Sequence, residues 1–552
     1  MTRARVLAAV VLVSLVAGLV WSSRAQGPRE RAWVTILSTT DLHGNLLPVD
    51  YYTDQSDARG LAKVATLVRQ ARAENPRGTL LVDSGDVIQG SPLQYVHNTR
   101  NTMPPDAMMR AMSALGYDAM TVGNHEYNFG LTVLEKARGE AGFPWLSANT
   151  YRTGTNDTYH RPYVVKDVAG VRVGILGLTT PGVPAWENAE NYPGLEFRRP
   201  LDEARKWVDV LRSTERVDLV IVTMHMGLEE DLRTGVASPG QVRNENEALA
   251  IARGVPGIDA IFMGHTHREI PNVVVNGVLL AQANLWGRHL ARADVYLERG
   301  EDTRWHVTAK QSRTIPVLAS TEADAEITAI AEPYDREARQ WLSRPIGTSN
   351  AELTAVDGRV SDTALIDLVQ RVQLDYGKAD VSMAAVFNRQ ARIPRGQVSV
   401  RDIAGLYIYE NTLVVLEVTG RQVREALEHS ARFFKDYVAG RSPAELVDER
   451  IPDYNFDQAE GVTYDLDIRK PMGQRIENLR FKGAPLSDTQ VLRLATNNYR
   501  VSGGGGYDMY KDAKVVFRSS QEIREMIIEW VEKGGTIPQT ATNNWRLLPG
   551  PN

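Results

Sequence analysis

Five short apolar runs end in groups able to hold a metal: VTILSTTDLHG, LLVDSGDVIQG, AMTVGNHEYN, DLVIVTMHMG and DAIFMGHTH. Each starts as a β-strand would and finishes in Asp, Asn or His close to a glycine. Together they supply Asp41, His43, Asp86, Asn124, His125, His225, His265 and His267. Taken singly, each motif reads as an ordinary turn or a structural histidine. Taken together they use five of the ten histidines in the chain, and the oxygen and imidazole donors outnumber what one divalent ion takes. Two ions about 3.5–4 Å apart, bridged by a carboxylate, can clamp a phosphoryl oxygen and lower the pKa of a bound water. That is the chemistry of phosphoester hydrolysis.

Such groups converge only if strands deliver them to one crevice, because ligands in α/β sheets bind beyond the carboxyl ends of the strands. From about residue 32 to 310, Val/Ile/Leu-rich runs alternate with amphipathic stretches such as Leu61 to Ala73 and Leu201 to Arg212, which predicts an α/β domain. Residues 321–344 are charged and helix-favouring, broken only by Pro333, and read as a pair of connecting helices (316–345). A second, smaller α/β unit is expected over 346–545. It has a helix from Thr363 to Tyr376, a strand at TLVVLEVTG, a helix from Arg421 to Phe434, and VLRLATNNY leading into a glycine-rich turn. The polar stretch from Lys435 to Asp457 reads as an ordered surface insertion or, equally, a mobile loop.

Composition narrows the chemistry. Across 552 residues there is no cysteine, which excludes thiolate metal sites, disulfides and thiol nucleophiles. Charged residues make up 24% with a net charge of -5, so a long nucleic acid is not an expected partner. Residues 1–26 combine a basic start, an apolar run from Val6 to Trp21 and the small-x-small sequence Ser23-Arg24-Ala25. They read as a cleaved signal peptide, because the run falls short of the ~20 residues that span a bilayer. Its loss removes three arginines and no acid, taking the net charge from -5 to -8. An exported protein, periplasmic or extracellular, is expected. No G-x-x-x-x-G-K-[ST] motif is present, so ATP-driven chemistry is not expected.

D-x-H, G-D, G-N-H-E, H and G-H-x-H in this order resemble the metallophosphoesterase signature, and residues 346–545 resemble the C-terminal domain of the bacterial 5'-nucleotidase family. The resemblance implies a four-layer α/β/β/α domain followed by a substrate-recognition domain. It implies one metal on Asp41, His43, Asp86 and His267 and a second on Asp86, Asn124, His225 and His265, bridged by Asp86, with Mn, Zn, Fe or Co all compatible. It places His125 over the phosphate, oriented by Asn128. In LYIYENTL and ATNNYRVSGGGGYDMY it implies that Tyr409 and Tyr499 stack on a nucleobase and that Asn411 meets the base edge. Asn388 matches a family asparagine, and Arg392 stands as a replacement for a family arginine, with Arg389, Arg392 and Arg395 equally readable as a solvated basic loop.

Two departures point to a branch. The 5'-nucleotidases have an Asp where this chain has Asn128, and G-G-D-G where it has Gly505. A carboxylate at 505 would repel a phosphate on the ribose 2'/3' edge. TTDLHGN followed by DYY, GNHEYNFGL, YIYENTL and NFDQAEGVTYDLDI also look like the 2',3'-cyclic-nucleotide 2'-phosphodiesterase/3'-nucleotidase branch. The expectation is therefore a metal-dependent nucleotide hydrolase with a small-molecule substrate. Its rivals are a 5'-nucleotidase or nucleotide-sugar hydrolase, a noncatalytic nucleotide-binding surface protein, and a nuclease on long polymers. Restoring Asp at 505 is expected to shift selectivity.

Overall fold

The computed structural model describes residues 30–232, 235, 242–409, 411–501 and 503–550. The expected signal peptide lies outside them.

The alternation of side chains along each strand builds the first unit. In Arg31–Thr39, Val34 and Ile36 face one way and Leu37 the other; in Leu219–His225, Leu219 and Ile221 oppose Val220, Val222 and Met224. One set fills the space between two stacked sheets, with Leu80, Val82, Ile175, Phe262 and Ala281, and the other set packs under helices on each outer face. Strands buried on both sides need such near-continuous apolar runs.

The first sheet runs Trp305–Pro316, His289–Arg299, Arg31–Thr39, Thr79–Asp83, Ala119–Thr121, Trp145–Leu146. The second runs Glu269–Val275, Val278–Ala283, Ala260–Met263, Leu219–His225, Val171–Thr179, Tyr163–Val168. The four layers follow. Arg31–Thr39, Thr79–Asp83 and Ala119–Thr121 are mutually parallel, as are Leu219–His225 and Ala260–Met263, so all five motif strands point the same way within their sheets. Buried polar links tie the two sheets near those ends: Thr121 Oγ1 lies 2.6 Å from Thr223 Oγ1, and Ser84 Oγ donates to the Phe262 carbonyl at 3.2 Å.

The expected pair of connecting helices is one helix, Ala325–Leu342, with Pro333 inside it. An interior proline costs roughly 3 kcal/mol. The stripe Ile327, Ala331, Tyr334, Ala338 and Leu342 is buried, and that burial outweighs the break. Asp324 caps the helix by accepting from the Glu326 and Ile327 amides, both at 3.1 Å.

The second unit centres on a sheet ordered Asp457–Glu460, Val381–Ala385, Val491–Asn497, Thr412–Thr419, Lys514–Glu522. Helices Ala364–Gly377, Gly420–Ser430 and Ile523–Glu532 accompany it, the first capped by Thr363 and the second by a Thr419/Gln422 capping box. Residues 435–457 carry the turns Pro443–Leu446 and Asp453–Asn455, Arg359 Nε donates to Asp453 at 2.7 Å, and Phe456 stacks on Phe433 at 4.8 Å. A single buried cluster joins Met108, Met112 and Leu342 to Ile366, Ile403 and Ile527, so the two units share apolar core.

Candidate active site

The five strand ends meet. Asp41 and Asp86 are fully buried, and Asp41 Oδ1 lies 3.4 Å from His267 Nε2. His43 Nε2 is 3.2 Å from His267 Nε2 and 3.9 Å from Asp86 Oδ2, and His225 Nε2 is 2.9 Å from that same oxygen. Ligand atoms of Asp41, His43 and His267, and of Asp41, Asp86 and His225, form two groups, each within 4.8 Å.

Three tests support a cation site. Two imidazole nitrogens, His43 Nε2 and His267 Nε2, lie only 3.2 Å apart, a spacing that lone pairs turned toward one shared cation also give. Asn124 Oδ1 and His225 Nε2 are buried and make no well-aligned hydrogen bond, the latter despite its proximity to Asp86, which is costly for polar atoms without another partner. And the second ring nitrogens are held from behind: His43 Nδ1 by Gln89 at 3.1 Å, His225 Nδ1 by the Ser84 carbonyl at 2.8 Å, His265 Nε2 by Glu245 at 3.1 Å. Metal-binding histidines are fixed in this way. His265 and Asn124 stand outside the two close groups, although the His265 backbone N–H donates to Asp41.

Charge is distributed accordingly. Burial opposes ionisation of Asp86, but the neighbouring His225 and His125 hold its carboxyl well below the usual range. Burial likewise works against His225, yet contact with Asp86 raises it to about 10, whereas burial depresses His43 to about 4.

The backbone is unusual here. Asp41, His43, Asp86, His265 and His267 all adopt positive φ, between 47° and 70°. Non-glycine residues rarely do so, and such strain gathers at functional sites. At Asp86 the backbone is held by Glu126, fully buried in the G-N-H-E motif. One of its oxygens accepts from Val87 N at 2.6 Å and Ile88 N at 3.3 Å, the other from Asp86 N at 2.9 Å and Gly123 N at 2.6 Å. Glu126 thereby staples the Asp86 loop to the Asn124 loop. His125 sits beside this staple, its ring 5.2 Å from His43 and its Nδ1 2.6 Å from Asn128 Oδ1.

In the second unit, Tyr409 and Tyr499 are 37% and 42% exposed, as binding residues must be. Between them in contact stands Tyr454, its ring 5.9 Å from Tyr409 and 6.5 Å from Tyr499, edge-on to both. Sequence reasoning missed it; an aromatic within the polar 435–457 stretch was the available signal. Tyr407 and Tyr507 are core residues. Asn411 Nδ2 donates to the Tyr407 hydroxyl at 3.2 Å. Asn388 is engaged with its own loop, donating to Gly405 O at 2.9 Å and accepting from Gln390 N at 3.0 Å.

Arg392 is exposed. The short strand Arg392–Ile393 buries Ile393, so its neighbour turns outward, 3.7 Å from Glu352. Arg389 instead reaches Asp453 at 2.7 Å, next to Tyr454. Gly505 also differs from expectation. It has φ of 71°, and a Cβ there would lie 2.3 Å from Asn455 Oδ1 and 2.7 Å from Arg500 Nη1. An Asp at 505 requires Asn455 and Arg500 to shift, so the single substitution would perturb packing as well as charge.

A carboxylate–imidazole centre at the ends of two stacked sheets defines a metallophosphoesterase. Residues 34–269 match the calcineurin-like phosphoesterase model and residues 345–512 the 5'-nucleotidase C-terminal domain. A 2',3'-cyclic-nucleotide 2'-phosphodiesterase/3'-nucleotidase of Haemophilus influenzae is 30% identical over 93% of this chain and 87% of its own length. The trifunctional nucleotide phosphoesterase protein YfkN of Bacillus subtilis is also 30% identical over 94% of the chain, which spans 39% of that longer protein. A crystal structure assigned to a 5'-nucleotidase of Staphylococcus aureus superposes with a TM-score of 0.77 at 26% identity, covering 94% of this chain and 100% of that one. The chain belongs to the family of calcineurin-like phosphoesterases that carry a 5'-nucleotidase C-terminal domain. It is a phosphohydrolase that uses divalent metal ions. No described helix is long and apolar enough to cross a membrane.

Proposed function

We propose that the protein is an exported dinuclear hydrolase that opens 2',3'-cyclic nucleotides to 3'-nucleotides and cleaves these to nucleoside and phosphate. Asp41, His43, Asp86 and His267 would hold one cation, and Asp86, Asn124, His225 and His265 the other. When bound, the cations supply charge for the phosphoryl oxygens and a more acidic water.

The chain's own residues do the rest. Glu126 keeps the ligand loops in register. His125 faces the phosphate, where an imidazole can stabilise developing charge or protonate the leaving oxygen. Catalysis belongs to 32–315 and base recognition to 346–545, where Tyr409 and Tyr499 supply stacking worth about 1–3 kcal/mol per base with little base preference. Export rests on the signal-like sequence of residues 1–26.

The observation that carries the substrate reading is Gly505, which leaves the position that holds a ribose-binding carboxylate in 5'-nucleotidases without charge and closely packed by Asn455 and Arg500. A panel of 2',3'-cyclic AMP, 3'-AMP and 5'-AMP, assayed with Mn²⁺ alongside metal analysis of the same sample, tests it. The cyclic and 3' substrates are expected to dominate; a wide preference for 5'-AMP overturns the reading.

A further inference from the structure

His125 and Asn128 lie three residues apart in one turn that begins with the segment His125–Tyr127. Asn128 is an ambiguous partner, since its amide can offer either an oxygen or an NH₂ to the ring. Glu187, 59 positions further on, removes the ambiguity: its Oε2 accepts from Asn128 Nδ2 at 2.5 Å. Its other oxygen accepts from Asn188 N at 2.7 Å and from Asn191 Nδ2 at 2.8 Å. Every contact to Glu187 is thus a donor, as an ionised carboxylate requires. Asn191 Nδ2 also donates to the Asn128 carbonyl at 3.0 Å, holding the turn in place. Flipping the Asn128 amide would set oxygen against oxygen at that 2.5 Å contact.

We propose that Glu187 is a positioning residue for His125: by accepting from the Asn128 amide nitrogen it aims the amide oxygen at Nδ1, which fixes the Nδ1–H tautomer and leaves Nε2 to face the phosphate. The negative charge that an Asp at 128 would place directly against the ring stands here one link further out. This rests on the reading of His125 as the residue over the phosphate.

The test is a cycle of Asn128→Asp, Glu187→Gln and the double variant. Asn128→Asp alone opposes two carboxylates, and Glu187→Gln alone frees the amide to flip. In the double variant the new carboxylate at position 128 accepts from both His125 and the new amide at position 187, so the same hydrogen bonds return. Rates are read on bis(4-nitrophenyl) phosphate, which has neither base nor ribose, so failure of the nucleotide panel leaves the cycle readable. Each single variant is expected to lose about 10–100-fold in kcat, with KM and bound metal unchanged, and the double variant to recover to within about threefold of the parent. A double variant no faster than the slower single, or Glu187→Gln with the parent's kcat, overturns the proposal. Independently of turnover, the spectrum of ¹⁵N-histidine-labelled, zinc-loaded protein, with His125 assigned by its loss in His125→Ala, should show an Nδ1–H ring; an Nε2–H ring overturns the proposal too.

Discussion

Replacing Glu126 by Gln removes one of two carboxylate oxygens that between them satisfy four backbone amides, those of Asp86, Val87, Ile88 and Gly123. The new NH₂ faces two of these donors and can accept from neither. A buried donor left without an acceptor costs about 1–3 kcal/mol, so the two together cost about 2–6 kcal/mol. The cost falls on the loop that carries Asp86 in its left-handed conformation. Even the lower figure of about 2 kcal/mol corresponds to local opening roughly 30-fold more often, which amide hydrogen exchange in peptides covering residues 84–88 and 123 would report directly. Outer partners of metal ligands typically change metal affinity or activity 10–100-fold, so cation affinity should fall at least tenfold in the same variant. Unchanged exchange at residues 84–88, with cation affinity within twofold of the parent, would refute the claim that Glu126 holds the centre together.

Tyr454→Ala removes two edge-on aromatic contacts worth about 0.5–1.5 kcal/mol each; KM for 3'-AMP should rise about tenfold while KM for 4-nitrophenyl phosphate, which has no nucleobase, stays put. Gly505→Asp is expected to destabilise the second unit by about 1–3 kcal/mol through overpacking against Asn455, and the ratio of 5'-AMP to 3'-AMP turnover should shift only when Asn455→Gly accompanies it. Burial and the nearby Asp362 raise Asp367 from 3.8 to about 7. A raised acid favours the folded state while protonated, so this group's contribution is present below pH 4 and is lost as pH climbs to 7. Asp367→Asn should therefore gain thermal stability relative to the parent across pH 4–7, with the gap levelling off above that window.

The strand ends were legible because the Asp, Asn and His groups follow apolar runs at a fixed place, and the parallel registers bring those runs into line. The single helix through Pro333 was not legible, since local propensity opposes it and only burial of Ile327, Tyr334 and Leu342 against distant helices reverses the balance. Arg392 and Gly505 show the same limit. Motif spacing ranked Arg392 ahead of Arg389, whereas strand pairing with Leu353–Thr354 turns Arg392 outward. Gly505 read as a missing carboxylate, and its tight seat beside Asn455 is a fact of packing. Glu187 and Glu245 reach their histidines, through Asn128 in one case and directly in the other, from loops with no motif of their own.

The left-handed backbone at Asp41, His43, Asp86, His265 and His267 changes how substitutions there must be interpreted. Alanine at these positions deletes a donor and also forces a residue poorly suited to that conformation, so the measured loss mixes chemistry with folding. Asparagine tolerates left-handed φ and glycine adopts it freely. At each of these five positions the glycine variant therefore deletes the donor without the left-handed penalty that alanine adds, and the difference between the two reports backbone conformation in the folded and unfolded chain.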